Sequence, residues 1–387
     1  MKTSIRFDRN EWSGAFGDIG TDLPLITGMI LVSGIDAASV LIVFGIMQIL
    51  TAWLYGIPMP VQPLKAVAAI VIAERLTGSV IYGAGLAIGF TMLFLTVTGL
   101  IDWLGRVIPK AVIRGIQFGL GAKLALLALT NFVQAEGATG YVLAAIAFVM
   151  VIGLLGNRKY PPALFVIMLG LLYSFLFKTH AGILEPSFRF ALPQLHAPSI
   201  QDIFLGFFVL ALPQIPLSLG NSIYATKQIA NDLFPEKEIT VRKIGLTYSL
   251  MNIVAPFMGG VPVCHGSGGM AGHYAFGGRT GGSVVIYGSM YLLLGLFFSG
   301  SFNGVITIFP LPILGVILFF EGLTLMRLIE DTVYPRAHLS IALLVGLIAV
   351  GLPYGFLIGM IVGTLLAFVS ERYQIGFSRS QNKKGEK

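Results

Sequence analysis

The chain has 387 residues, of which 56% are hydrophobic and only 11% charged, with a formal net charge of +7 and a single cysteine. Soluble domains carry about 25% charged residues, so no water-soluble core of this length could hide so much apolar surface, and continuous apolar runs without alternation exclude a transmembrane β-barrel. The lone Cys264 excludes an internal disulfide and a cysteine-built metal cage. The N-terminus, MKTSIRFDRNEW, mixes charges of both signs with no apolar core and cleavage site behind it, so no removable signal peptide is expected.

At about 20 residues per span, apolar runs predict fourteen segments, near 13–33, 38–56, 58–75, 79–100, 110–131, 138–156, 161–178, 199–222, 240–260, 262–275, 279–300, 303–325, 335–352 and 353–371. The first, GAFGDIGTDLPLI at 14–26, carries Asp18 and Asp22 four residues apart, on one face of an unbroken helix. Ionisable residues inside a membrane are costly and point to function; for Asp22 the competing reading is a helix cap before Leu23 and Pro24. The third, PMPVQPLKAVAA at 58–69, is short and sets Gln62 and Lys65 around Pro63. Lys65 either approaches an anionic ligand, the reading favoured here, or snorkels to the surface. The eighth, LPQIPLSLGNSIYATKQI at 212–229, offers Gln214, Ser218 and Asn221, and the tenth, GVPVCHGSGGMAG at 260–272, is again short and follows a proline.

Segments one and eight, and three and ten, thus share their character and lie seven apart. An odd-numbered unit, repeated, enters the membrane with opposite orientation, which predicts two inverted repeats, 1–185 and 186–371, before a disordered cytoplasmic tail, 372–387. Transporters of this kind place their site at the midplane, on interrupted helices in corresponding positions. Pro63 and Pro262 favour extended chain before them. A helix starting just afterwards exposes free N–H groups and the positive end of its dipole, and glycines permit close approach of a ligand. Two such starts face to face make a cradle for an anion. The competing reading of GSGGMAG is close helix packing; the matching break in the other half favours a site. Gln62, Gln214, Ser218, Asn221, Ser267 and Thr21 would supply neutral hydrogen bonds.

Two histidines eight apart with one cysteine make a poor zinc site, so no metal and no cofactor are expected. His265 is a candidate ligand for substrate or proton, whereas His273 and Arg279 belong towards the cytoplasmic end. Lys123, Asp102 and Glu321 read as structural pairings without a role. Lys and Arg fall mostly on one side, among them Arg6, Arg9, Lys110, Arg114, Lys227, Lys237, Arg242, Lys243, Arg279, Arg327 and the C-terminal tail; the other side holds only Arg75, Lys178 and Arg189. By the positive-inside rule the termini are cytoplasmic. The net charge is topology and not a nucleic-acid patch.

FGDIGTDLPLI (16–26) and PVCHGSGGMAGHYAFGGRTGG (262–282) resemble two stretches of the molybdate transporter family, a branch related to the SulP sulfate permeases. LGNSIYATKQIANDLFP (219–235) and IPKAVIRGIQFGLG (108–121) extend the resemblance over most of the chain. It implies an all-α polytopic fold of seven plus seven inverted repeats, with a core and a gate as in uracil permease, and half-helices in segments three and ten. It also implies substrate contacts at Asp18, Gly20, Thr21 and Asp22, at Gln62 and Lys65, at Gln214, Ser218 and Asn221, and at His265, Gly266, Ser267 and Gly268. A homodimer is common in the related fold. The implied function is uptake of a tetrahedral oxyanion, molybdate or sulfate, across the cell membrane.

Drawing a dianion into a negative interior is uphill, so symport with protons is expected, with Asp18, Asp22 and His265 as candidate carriers. No Walker motif is present, which speaks against direct drive by ATP. Three rivals are weighed. An embedded enzyme would use Cys264 and His265, but chain neighbours rarely face each other and no orienting third group is evident. An anion channel would show no saturation. A nucleobase permease would want a carboxylate on segment eight or ten; segment eight offers Gln214 and Asn221, and segment ten offers no carboxylate.

Overall fold

The computed structural model describes residues 5–154, 162–178, 188–333 and 336–373. The expected repeat boundary at 185/186, the tail beyond Tyr373, and Lys2, Arg158 and Lys159 lie outside them. Seven helices of the described residues are each long and apolar enough to cross a bilayer, and shorter apolar helices accompany them. The order is α1 (Ile19–Ser33), α2 (Ala37–Tyr55), β1 (Val61–Pro63), α3 (Lys65–Glu74), α4 (Gly78–Thr98), α5 (Lys110–Leu127), α6 (Gly137–Leu154) and α7 (Pro162–Tyr173). It continues as α8 (Ile200–Leu233), then α9 (Val241–Val254), β2 (Val263–His265), α10 (Ser267–Ala275), α11 (Gly282–Ile308), α12 (Leu311–Arg327), α13 (Arg336–Gly351) and α14 (Gly355–Tyr373).

The packing carries the repeat that the spacing predicts. Helix α2 packs on α11, and its counterpart α9 packs on α4. In the same way α5 on α13 mirrors α12 on α6, α13 on α14 mirrors α6 on α7, and α1 on α12 mirrors α8 on α5. Each of these contacts recurs when seven is added or subtracted, so the halves interlock, and a repeat of odd helix number enters the membrane with opposite orientation. Helices α1–α4 and α8–α11 form the core unit. Helices α5–α7 and α12–α14 form the gate.

The two extended stretches before the half-helices pair with each other. β1 and β2 run antiparallel, with Val61 opposite His265, Gln62 opposite Cys264 and Pro63 opposite Val263. This strand pairing was not foreseen. It delays the start of α10 to Ser267, five residues after Pro262, because residues 263–265 are held extended. In a membrane the outer backbone groups of such a ribbon need partners. Gln48 on α2 supplies them for β1, donating from Nε2 to the Val61 carbonyl (2.6 Å) and accepting from the Val61 amide (2.8 Å). Asn252 on α9 does the same for Val263, at 2.7 and 2.9 Å. The two clamps occupy equivalent helices of the two repeats.

Some expected limits move. Ser301 and Phe302, the gap expected between segments eleven and twelve, are helical: α11 runs on to Ile308, bends at Phe298 (φ −125°, ψ 15°), and Pro310 precedes α12. The polar middle of segment eight is a bulge inside one long helix, with wide turns at Phe207–Ala211 and Ser218–Tyr224. Segment one begins only at Ile19, after a separate helix Arg9–Gly14.

That leading helix is anchored by Glu11, which is buried at 1% exposure. Its Oε1 accepts from the Arg279 amide (3.0 Å), the Thr280 amide (2.8 Å) and Thr280 Oγ1 (2.9 Å), and Oε2 accepts from the Ser283 amide (2.9 Å). These amides lie at the start of α11, where helix geometry leaves N–H groups without internal partners. Orphaning a buried donor costs about 1–3 kcal/mol. Glu11→Ala is therefore expected to lower the thermal unfolding temperature of the purified protein by several degrees, and Glu11→Gln by less. An unchanged melting curve for both would show that the anchor contributes nothing.

Candidate functional site

A cavity of about 210 Å³ lies where the starts of α3 and α10 meet the gate. Gln62, Lys65 and Ala66 form one wall, Cys264 to Gly268 the opposite one, and Gln214, Leu217, Asn221 and Ser222 of α8 a third. The gate closes it with Gln117 and Leu120 of α5 and with Thr324, Leu325 and Leu328 at the end of α12. Larger recesses exist: one of about 710 Å³ beside the α1–α2 turn, and an apolar crevice of about 440 Å³ between α1, α7 and α11. Only the smaller cavity brings both half-helix starts, a cation and several side-chain amides together.

The two helix starts differ. At α3 the amides of Ala66 and Val67 both donate to Gln214 Oε1, at 3.1 and 3.3 Å. Gln214 Nε2 donates to Ser218 Oγ (3.0 Å), which in turn shares a 2.7 Å bond with the Tyr248 hydroxyl. A side chain of α8 thus already caps α3. At the start of α10 no side chain among the described residues accepts from the amides of Ser267 and Gly268, so these are the ones left for a ligand. The symmetric cradle expected from the sequence becomes a one-sided one, because Gln214 occupies the other half.

Three glycines set this wall. A Cβ at Gly266 would lie 1.6 Å from Gln62 Oε1, and one at Gly269 would lie 2.2 Å from Asp18 Oδ2. At Gly268 a Cβ would meet nothing within 4 Å. The packing and ligand readings of GSGGMAG therefore apply to different residues: Gly266 and Gly269 let polar side chains approach the backbone, and Gly268 faces open space.

Not every expected residue reaches the cavity. Gln62, Lys65, Gln214, Asn221, His265, Gly266, Ser267 and Gly268 line it. Ser218 stands behind Gln214. Asp18 and Asp22 are buried in a second layer. Asp18 accepts both hydrogen bonds of Gln62 Nε2, at 2.7 and 2.8 Å, and so turns Gln62 Oε1 towards Gly266. Asp22 is not a helix cap; its Oδ2 accepts from the Tyr287 hydroxyl at 3.1 Å. Thr21 Oγ1 donates to Glu321 Oε1 on the gate (3.1 Å). Gly20 is the residue four before Pro24, whose ring lacks the N–H that would bond the Gly20 carbonyl.

The His265 ring is fully buried and engaged at both nitrogens. Nδ1 faces the Pro60 carbonyl at 3.4 Å and Nε2 lies 2.7 Å from Thr247 Oγ1. A carbonyl can only accept, so Nδ1 is the donor in that contact. His265 stands on the wall, and its ring braces β2 against α9 and Tyr55. His273 is likewise buried, edge-on to Tyr287.

The sequence gives no sign of Gln117 or Thr324 on the wall, and Glu321, read as a structural pairing without a role, pairs beside it. Lys65, the one cation among the lining residues, has its Nζ 3.7 Å from Glu321 Oε2. A lone glutamate in a gate helix gives no local sign of that partner; the only available signal was the expense of any carboxylate in a span.

Comparison with known proteins places these features. A family described as "Molybdate transporter of MFS superfamily" matches residues 10–124 and 206–325. Molybdate transporter 2 of Arabidopsis thaliana is 35% identical over 374 residues, covering 83% of this chain and 79% of the relative. Among solved structures, the transmembrane domain of a cyanobacterial bicarbonate transporter, BicA, superposes with a TM-score of 0.67 at 17% identity, covering 95% of this chain and 98% of that one. Murine Slc26a9, an anion transporter in the inward-facing state, gives a TM-score of 0.70 at 11% identity, covering 95% and 69%. These are transporters and not enzymes. Major facilitators join two parallel-related halves of six spans. The interlocked seven-helix units seen here follow the bicarbonate and Slc26 architecture instead.

Proposed function

The chain belongs to the molybdate transporter family, and on that premise we propose that it takes up molybdate, with sulfate as the neighbouring substrate, by alternating access as a secondary active transporter. The observation that carries this reading is the wall itself: uncapped α10 amides at Ser267 and Gly268 with Lys65 on the opposite side. Neutral groups, among them Gln117, Asn221 and Thr324, complete the wall. One cation with neutral donors attracts a dianion without holding it so tightly that it cannot leave. Among the described lining residues there is no carboxylate, which disfavours a nucleobase, whose ring N–H groups call for an acceptor. The site residues are those of the cavity wall, with Asp18, Asp22, Thr21 and Ser218 acting from behind it.

Bringing a dianion into a negative interior costs about 4.6 kcal/mol at 100 mV, which supports proton symport. The charge bias supports cytoplasmic termini, and the shift by seven supports two repeats dividing near 185/186. The homodimer is an expectation by likeness of fold.

The test is uptake of radiolabelled molybdate into proteoliposomes, with and without an inward proton gradient and with sulfate as competitor. Saturable uptake accelerated by the gradient is expected. Uptake that does not saturate would indicate a channel, and no uptake of either anion would overturn the reading.

A further inference from the structure

Resting on that function, we propose that Glu321 couples a proton to the anion by competing with substrate for Lys65. Three contacts carry this. Glu321 Oε2 lies 3.7 Å from Lys65 Nζ, with side chains 17% and 34% exposed. Its Oε1 accepts from Thr21. Thr324, three residues on and therefore on the same face of α12, lines the cavity together with Lys65. The carboxylate thus borders the cavity without being part of its wall, and it reaches from the gate to two residues of the core, Thr21 on α1 and Lys65 on α3.

Lys65 is the only cation among the described wall residues, and it cannot fully serve a carboxylate and a dianion at once. With Glu321 ionised, Lys65 is already neutralised and an incoming dianion meets a second negative group. With a proton on Glu321, the ammonium is released to the substrate. Proton and anion therefore bind cooperatively, and by linkage each raises the affinity for the other. The proton enters with the anion, rests on the Glu321 carboxyl, and leaves when the anion leaves and Glu321 pairs with Lys65 again. The empty carrier returns as a closed ion pair that ties gate to core.

Other charged groups around α12 are committed elsewhere or lie on one side. Asp18 and Asp22 face it from α1. On α5, Arg114 pairs with Asp331, and Lys123 pairs with Glu74 of α3. Towards α6 and α7, Glu136 pairs with Lys178.

The experiment is equilibrium binding of radiolabelled molybdate to the purified full chain from pH 6 to 8. Wild-type affinity is expected to fall as pH rises, by up to roughly tenfold per unit for one linked proton. Glu321→Gln should keep the low-pH affinity across the range, flat within about twofold, and Glu321→Asp should restore the slope. Should Glu321→Gln fail to fold, Thr21→Val removes one hydrogen bond from the carboxylate and leaves the charges; its pH profile should move to higher pH with the slope kept. A Glu321→Gln profile parallel to wild type, or an unmoved profile for Thr21→Val, overturns the proposal, as does a slope abolished only by Asp18→Asn or Asp22→Asn. A wild-type protein that binds no molybdate at any pH overturns the function itself, and this coupling with it.

Discussion

Lys65→Met is expected to reduce molybdate uptake at low substrate concentration by more than about 100-fold, a loss of about 2.8 kcal/mol of binding. Among the described lining residues Lys65 is the only cation. Its attraction for a dianion acts in a site walled by protein, where charges are screened far less than in water. The variant also strands Glu321, and removing one partner of a part-buried pair is itself costly. The double variant Lys65→Met with Glu321→Gln separates the effects. It should recover protein stability but not uptake, because the orphaned carboxylate is gone and the cation is still missing. Lys65→Arg should keep measurable uptake with a raised KM, since the guanidinium keeps the charge in a larger, planar shape. Initial rates against molybdate concentration decide the matter. Uptake by Lys65→Met within threefold of wild type would remove the cation from the site.

A second large effect is expected one strand away. Gly266→Ala puts a methyl group 1.6 Å from Gln62 Oε1 and 2.1 Å from Gln62 Cδ, so Gln62 must move. Gln62 is not free to do so, because both of its Nε2 bonds end on the buried Asp18. The β1–β2 pairing that aligns the two half-helices shifts with it. Uptake is expected to fall by more than tenfold, and the melting temperature by several degrees. Gly268→Ala is the contrast, two residues on. Its methyl group meets nothing within 4 Å, so the fold should melt within about 2 °C of wild type. The added methyl stands in the cavity, and the cost should appear as a raised KM. Equal stability loss in both variants would mean that Gly268 serves packing, and a harmless Gly266→Ala would mean that the Gln62–Asp18 arrangement does not matter.

Much of the architecture is legible along the chain. The spans, the short third and tenth segments, and the shift by seven follow from apolar run length and from where Pro and Gly fall, and these act locally. The limits between segments eleven and twelve were misread because Ser, Gly and Asn look like loop when counted by propensity. In a helix buried among others they serve close packing, and the chain stays helical to Ile308.

At the site the division runs through individual residues. Lys65, Gln214, Asn221 and the Gly266–Gly268 run stand on the cavity wall as their chemistry and position suggested. Asp18 was legible as important but not as the group that orients Gln62. The position of His265 on the wall follows from its place beside the glycine run, whereas the partners of its ring, Pro60 and Thr247, come from elsewhere in the chain.

The amino-acid sequence by itself determined that this chain spans a membrane many times, that it repeats with inversion, and that two of its segments are broken by polar backbone. Those are consequences of hydrophobic length, repeat number and proline geometry, each readable within a few dozen residues. Only the tertiary structure decided which helix start stays open. Gln214 caps Ala66 across 148 positions, Gln62 meets Asp18 across 44, and Glu321 reaches back from the gate to Thr21 and Lys65. The reason is physical: in a bilayer each buried donor and charge must find its partner within the protein, and where that partner lies along the chain is set by how the two repeats interlock.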